Sequence, residues 1–307
     1  IVLGALVGGV QGFLVAYGGV PAFIVTLGGL LIWRGLIFRF QQGQTVSPLD
    51  SSFQLLGGGP LGSLGEVGSW AVGIAACLGV AFILYGSRRR RQHYGFPTRP
   101  LWAEIAILLV VAVAVLGAVW IANSYLWPSA FAADWAKARG IAVPEGGLKI
   151  PTGIAYPVLL LIGIAIAMTY LATRRPFGRY VYAIGGSPDA AELGGINVRR
   201  TLMMTFVLMG ILASISAAVQ TARLNSAVTN LGVQNELDVI SAAVIGGTSF
   251  AGGIGTIPGA VLGAVVMQSL RSGMLLLNVD SPMQDVVVGL VLVAAVGFDA
   301  FLRRRAQ

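Results

Sequence analysis

The chain has 307 residues, of which 56% are hydrophobic and only 10% charged, and its net charge is +8. A soluble domain carries about a quarter charged residues, so this balance, with a mean hydropathy of +0.83, excludes an ordinary soluble protein and indicates a polytopic membrane protein. The positive excess is nearly all arginine, since Lys137 and Lys149 are the only lysines, and the arginines cluster at the ends of apolar runs, as the positive-inside rule expects.

Ile1–Tyr17 is apolar and Gly-rich and reads as the second part of a spanning helix. It has no charged n-region and no cleavage site, so it is not a signal peptide, and further helices are expected upstream of it. Gly18-Gly19-Val20-Pro21 breaks the run, and Ala22–Phe40 is the next span. Arg39 can snorkel from the end of that span. Arg34 lies deeper, so it must face protein or water or mark the true helix end. Gln41–Ser69 is polar and rich in Gly, Ser and Pro, and reads as a long external loop. Trp70–Tyr85 is a short span ending at Arg88-Arg89-Arg90-Arg91, a solvated cytoplasmic anchor beside the membrane and not a nucleic-acid patch. His93, the only histidine, has no acidic or cysteine neighbour to make it a metal ligand or catalytic base. Cys77, the only cysteine, sits in apolar sequence as a small core residue.

Leu101–Ile121 spans outward, with Glu104 near its inner end and Trp120 and Trp127 at the outer interface. Asn123–Pro151 is an external segment with Asp134, Lys137, Arg139 and Glu145, and Ile154–Ala172 spans back inward. Thr173–Thr201 follows as a polar, Arg-rich cytoplasmic loop holding one helix signal. Ser187 can N-cap, Pro188 suits the first helical position, and Asp189 and Glu192 favour the positive helix start. Ala190, Ala191 and Leu193 fill the body, and Gly194-Gly195 supplies a left-handed cap. Such a helix is under two turns and cannot persist alone in water, so either the rest of the chain or a partner on that side must hold it.

Leu202–Ala222 spans outward, and Arg223–Asp238 is external, with Asn225, Asn230, Gln234, Asn235 and Glu236. Leu237–Gly247 is too short for a full span of ~20 residues. The glycine-rich Thr248–Pro258 follows it. Gly259–Leu277 and Val286–Leu302 are the last spans, the second ending at Arg303-Arg304-Arg305. With Arg99, Arg174, Arg175, Arg179, Arg199 and Arg200, the cytoplasmic arginines fall on one face if Leu237–Gly247 crosses or nearly crosses. The expected fold class is therefore an all-α transmembrane bundle of nine crossings in one domain over 1–307, with a short or broken helix near 237–258 and a short cytoplasmic helix near 188–193.

The chemistry is as informative where it is missing. No glycine precedes a lysine, so no phosphate-cradling P-loop is present. No His or Cys set of zinc spacing exists, and no nucleophile has a base beside it. Glu104, Glu236, Asp238, Asp280, Asp285 and Asp299 all lie near span edges, which argues against ion coupling through buried acids. Neither a catalytic nor a metal site is expected. Gly4/Gly8, Gly8/Gly12 and Gly259/Gly263 have small-xxx-small spacing for close helix packing. Gly246, Gly247, Gly252, Gly253 and Gly255 are denser, and irregular backbone at membrane depth must adjoin protein or a water-filled cavity. These five, with Arg34, Asn225 and Gln234, are the candidate pathway or gate residues.

Phe177–Arg200 (FGRYVYAIGGSPDAAELGGINVRR), Glu236–Val266 (ELDVISAAVIGGTSFAGGIGTIPGAVLGAVV) and Val20–Leu36 (VPAFIVTLGGLLIWRGL) resemble the permease subunits of monosaccharide ABC importers of the ribose/xylose type. The inserted segment before Pro151 sets the chain nearest the xylose-type members. The resemblance covers nearly the whole chain. It implies a second permease copy forming the pathway, cytoplasmic ATP-binding subunits that carry the ATP, a periplasmic sugar-binding protein, and a location in the cell inner membrane. It also implies that Ser187–Gly195 is the coupling helix that docks on the ATPase, with Asn197, Arg199 and Arg200 at its exit. The competing reading from another class is a stand-alone carrier or channel for small polar solutes.

Overall fold

The computed structural model describes residues 1–97, 100–138, 140 and 148–306. Arg99, Arg139 and Glu145 lie outside the described residues, as do the side chains of Asp299, Arg303, Arg304 and Arg305. Among the described residues the fold is helical, with only isolated β-bridges besides. The helices are α1 (Val2–Ala16), α2 (Ala22–Gln41), α3 (Ser51–Gln54), α4 (Gly65–His93), α5 (Leu101–Ser124), α6 (Ser129–Ala138), α7 (Tyr156–Arg174), α8 (Pro176–Gly186), α9 (Pro188–Leu193), α10 (Val198–Leu224), α11 (Asn235–Ile245), α12 (Ile257–Leu276) and α13 (Ser281–Ala306).

Six of these, α2, α4, α5, α7, α10 and α12, are long and apolar enough to cross a membrane. No more than 17% of any of those apolar windows is buried within the chain. Side chains such as Phe23, Leu109 and Ile166 therefore point outward, an arrangement that lipid tolerates and water does not. The chain is a multi-pass membrane protein. α1 and the apolar part of α13 are shorter, and α11 has 11 residues. At 1.5 Å per residue α11 is about 16 Å long, roughly half a hydrocarbon core, which matches the short element expected over 237–247.

Three segments hold more helix than the sequence reading assigns. α4 continues through Arg88–Arg91 to His93; arginine-rich turns join a helix readily once an apolar stretch has nucleated it. The external segment after Asn123 contains α6, on which Trp135 meets Trp127 edge to face. Most of Thr173–Thr201 is helix as well, since α8 precedes the short α9.

The chain forms two compact units. The first comprises 1–48, 161–221 and 226–307. Within it, Gly4, Gly8 and Gly12 lie against Gly210, Phe206 and Met203 of α10, so close that a Cβ would strike backbone or Cβ atoms there. The α11–α12 contact is tighter still. Gly246 and Gly259 face one another backbone to backbone, and Gly263 faces the Ala242 carbonyl. At the other end of α11, Arg271 of α12 donates to Asp238 at 2.7 Å and lies 3.5 Å from Asp285 of α13. The small-residue contact and this ion cluster grip both ends of the short helix. Sequence reasoning overlooked Arg271, because a lone charge inside an apolar run gives no clue to partners 33 residues back and 14 residues on.

The second unit comprises 49–160 and 222–225. Ser69 stitches its loops together, donating to the Gly65 carbonyl at 2.6 Å and accepting from the Ile154 N–H at 2.8 Å. Arg88 of α4 pairs with Glu104 of α5 at 2.9 Å. Asp50 caps α3, and the Ser52 hydroxyl and N–H hold its carboxyl below the usual range. The cap is therefore in place at neutral pH and is lost as pH falls through that lowered value.

The α11–α12 contact predicts that Gly263→Val costs about 1–3 kcal/mol by overpacking and lowers the thermal unfolding midpoint in detergent. Gly273 on the same helix faces open space, so Gly273→Ala leaves the midpoint unchanged or raises it.

Candidate coupling site

The six residues of α9 are held by caps at both ends. The Ala190 N–H donates to Ser187 Oγ at 3.3 Å, and Pro188 occupies the first turn, where its missing N–H costs nothing. At the other end the Gly195 N–H donates to the Glu192 carbonyl at 2.9 Å and the Ile196 N–H to the Ala191 carbonyl at 3.0 Å. That pair of bonds is a Schellman closure, and Gly195 adopts the positive φ of 79° that it requires. Asn197 then starts α10, its Oδ1 accepting from the Arg200 N–H at 2.9 Å. Its geometric role is that of a cap.

What the caps hold in place is an outward-facing surface. Of α9 only Ala191 is buried, at 6% exposure, while Leu193 is 91% exposed. Asp189, Ala190, Glu192, Arg199 and Arg200 are exposed as well. A leucine left in water forgoes about 1.5–3 kcal/mol of burial. Here it sits on a rigid turn beside both signs of charge.

Behind α9 stands α8. It is amphipathic: Phe177, Val181, Tyr182 and Gly185 share one face, and Arg179 and Tyr180 lie off it. That face borders a largely apolar cavity of about 370 Å³, shared with Leu171 of α7, Leu208 of α10 and the glycine-rich loop after α11. At the end of α8, Gly185 meets Gly252 and Gly253 backbone to backbone, with no room for a Cβ. Tyr182 OH donates to the Gly255 carbonyl at 2.8 Å. The loop is itself braced. α11 ends in a second Schellman closure, with Gly247 N–H to Val244 O at 2.8 Å and Thr248 N–H to Ala243 O at 2.9 Å. Ser249 N–H donates to the Ile254 carbonyl at 2.9 Å, and Thr256 Oγ1 caps α12 through the Gly259 N–H at 3.1 Å.

The structure thus brings together two groups that the sequence presents 50 or more residues apart: the helix after Ser187, by way of α8, and Gly246, Gly247, Gly252, Gly253 and Gly255. Three other candidates lie elsewhere. Arg34 is an exposed residue of α2. Gln234, at a φ of 66°, is the N-cap of α11, at the opposite end of that helix from Gly246. Asn225 belongs to the other compact unit, where its Oδ1 accepts from the Leu49 N–H at 3.0 Å. Tyr182, Gly185 and Gly186 are the participants that sequence reasoning missed. Pro176 at a helix start and the apolar spacing Phe177–Val181 were the available signals, and the neighbouring arginines obscured them.

The family described as branched-chain amino acid transport system / permease component matches residues 1–296. The xylose transport system permease protein XylH of Escherichia coli (strain K12) is 37% identical over 306 residues, covering 100% of this chain and 70% of that protein. XylH of Haemophilus influenzae is 37% identical over 307 residues, covering 99% and 74% respectively. The ribose import permease protein RbsC of Escherichia coli (strain K12) is 40% identical over 153 residues, 50% of this chain and 48% of that protein. No solved structure matches.

Removing the Tyr182–Gly255 bond tests whether it braces the loop. Tyr182→Phe is expected to leave the chain folded and to cost the loop about 1 kcal/mol. Amide hydrogen exchange over 248–256 should then be roughly fivefold faster, with α12 unaffected.

Proposed function

We infer the function from family membership and geometry together: the chain belongs to the branched-chain amino acid transport system / permease component family, among its ribose- and xylose-type sugar permeases. It is the membrane-spanning permease of an ABC sugar transporter and acts as a conduit, not an enzyme. Two copies form the translocation pathway in the inner membrane. Cytoplasmic subunits bind the ATP, a periplasmic binding protein delivers the sugar, and the sugar is a pentose of the xylose type. The residues Ser187–Gly194, with Asn197, Arg199 and Arg200, make the contact with the ATPase.

One observation supports the coupling role above the others: Leu193 stands 91% exposed on a doubly capped helix. An apolar side chain on a rigid polar turn fits a pocket on a second protein, with Glu192, Arg199 and Arg200 supplying charge around it. A nucleotide-driven movement pressing on α9 passes to α8. It then reaches the Gly252–Gly255 backbone, and so the junction of α11 and α12. The two α8–loop contacts in this relay, Gly185 against Gly252 and Gly253 and the Tyr182 hydroxyl on the Gly255 carbonyl, both engage the loop's backbone, and backbone yields less than a rotatable side chain.

The test is coexpression with the cognate ATPase subunit. Leu193→Glu should reduce the copurified ATPase at least tenfold, the equivalent of about 1.4 kcal/mol, while Leu193→Met retains it. Equal copurification by the glutamate variant would count against α9 as the docking element. Uptake of labelled D-xylose, D-ribose and L-leucine by the assembled system identifies the substrate class. Import of D-xylose is the expected result, and import of L-leucine alone would overturn the sugar assignment.

A further inference from the structure

A second cavity of about 570 Å³ lies between α10 and α11, within the ~300–1,000 Å³ range of small-molecule sites. Its two ends differ. Met209, Leu212, Val239 and Ile240 line one part, and Ser216, Gln220, Asn235 and Glu236 line the other. Ser216 and Gln220 are four residues apart on one face of α10, and Asn235 and Glu236 open α11. The opposite face of α11 is already committed, with Asp238 in the ion cluster, Ser241 buried and the Ala242 carbonyl against Gly263 of α12. Packing alone therefore does not require polar groups on the cavity side.

Asn235 Nδ2 approaches Gln220 Oε1 at 3.5 Å, the outer limit for a hydrogen bond. Both amides thus retain most of their donor and acceptor capacity. Glu236 is exposed and has no ion-pair partner among the described residues. A carboxylate accepts strongly from hydroxyl donors and disfavours an anion, and two primary amides can each bridge neighbouring hydroxyls. We propose that this cavity is a contact site for a neutral polyhydroxylated solute, with Gln220 and Asn235 clamping it across α10 and α11, Glu236 and Ser216 accepting from its hydroxyls, and the aliphatic wall meeting its C–H face. The proposal rests on the sugar-permease reading and adds the residues that touch the sugar.

The test uses the assembled importer in right-side-out vesicles, with Cys77→Ala removing the native thiol. Ser216→Cys and Gln220→Cys are expected to react with a membrane-impermeant cationic methanethiosulfonate added outside. In the native background, Gln220→Leu with Asn235→Leu should lower D-xylose or D-ribose uptake at least tenfold, while ATPase activity stimulated by the sugar-loaded binding protein stays within twofold. Gln220→Asn should restore part of the uptake. Reaction with a lipid-soluble maleimide but with the impermeant reagent from neither side of the membrane would show that the cavity faces lipid and would overturn the proposal. Aqueous labelling with unchanged uptake by the double leucine variant would overturn the contact site and leave the importer reading standing. A wild-type complex that imports neither sugar with ATP present would overturn both.

Discussion

The backbone contact of Gly185 with Gly252 and Gly253 is what joins the end of α8 to the loop after α11. A side chain at any of these positions would hold the two segments apart. With none, the end of α8 and the loop after α11 meet at van der Waals distance, and Tyr182 closes the joint with a hydrogen bond to Gly255. Gly252 and Gly253 also take positive φ values of 91° and 72°, so glycine serves both the close approach and the turn. The glycine contact itself has no side chain whose rotamer could change to relieve it.

That joint adjoins a short element. α11 is about half a bilayer core in length, and each of its ends is tied. Gly246 and Ala242 lie against Gly259 and Gly263 at one end, and Asp238 pairs with Arg271 at the other. A short helix gripped in this way shifts as a unit more easily than it bends. Its free face is the wall of the α10–α11 cavity. The same helix thus adjoins the glycine loop held by α8 at one end and presents amide and carboxylate groups at its start, the two ends that the proposed docking and solute contacts call on.

Much of this was legible in the sequence, for physical reasons. Spans of apolar residues bounded by arginine follow from the bilayer itself, and the caps of α9 follow from Ser187, Pro188 and Gly195, whose local chemistry needs no tertiary context. The shortness of α11 could be counted directly. Long-range pairings could not be read. Nothing in the local sequence says that Gly185 meets Gly253, that Tyr182 reaches Gly255, or that Arg271 finds Asp238 and Asp285, because each contact depends on how helices are arranged. α8 was obscured for a different reason: Arg174 and Arg175 before it and Arg179 within it suggest loop, while its apolar face becomes meaningful only once the cavity it borders is known. Asn225 and Gln234 stand out in the sequence by their polarity, and the structure places them at a loop staple and a helix cap.

The central claim is that α9 is a docking element rigidly joined to the α11–α12 junction, and a structure of the permease assembled with its ATPase tests it most directly. The account predicts that Leu193 is buried in a groove of the second protein while Gly185 still lies against Gly252 and Gly253. A complex in which Leu193 stays exposed to solvent, or in which α8 has separated from the glycine loop while α11 keeps its place, would contradict it.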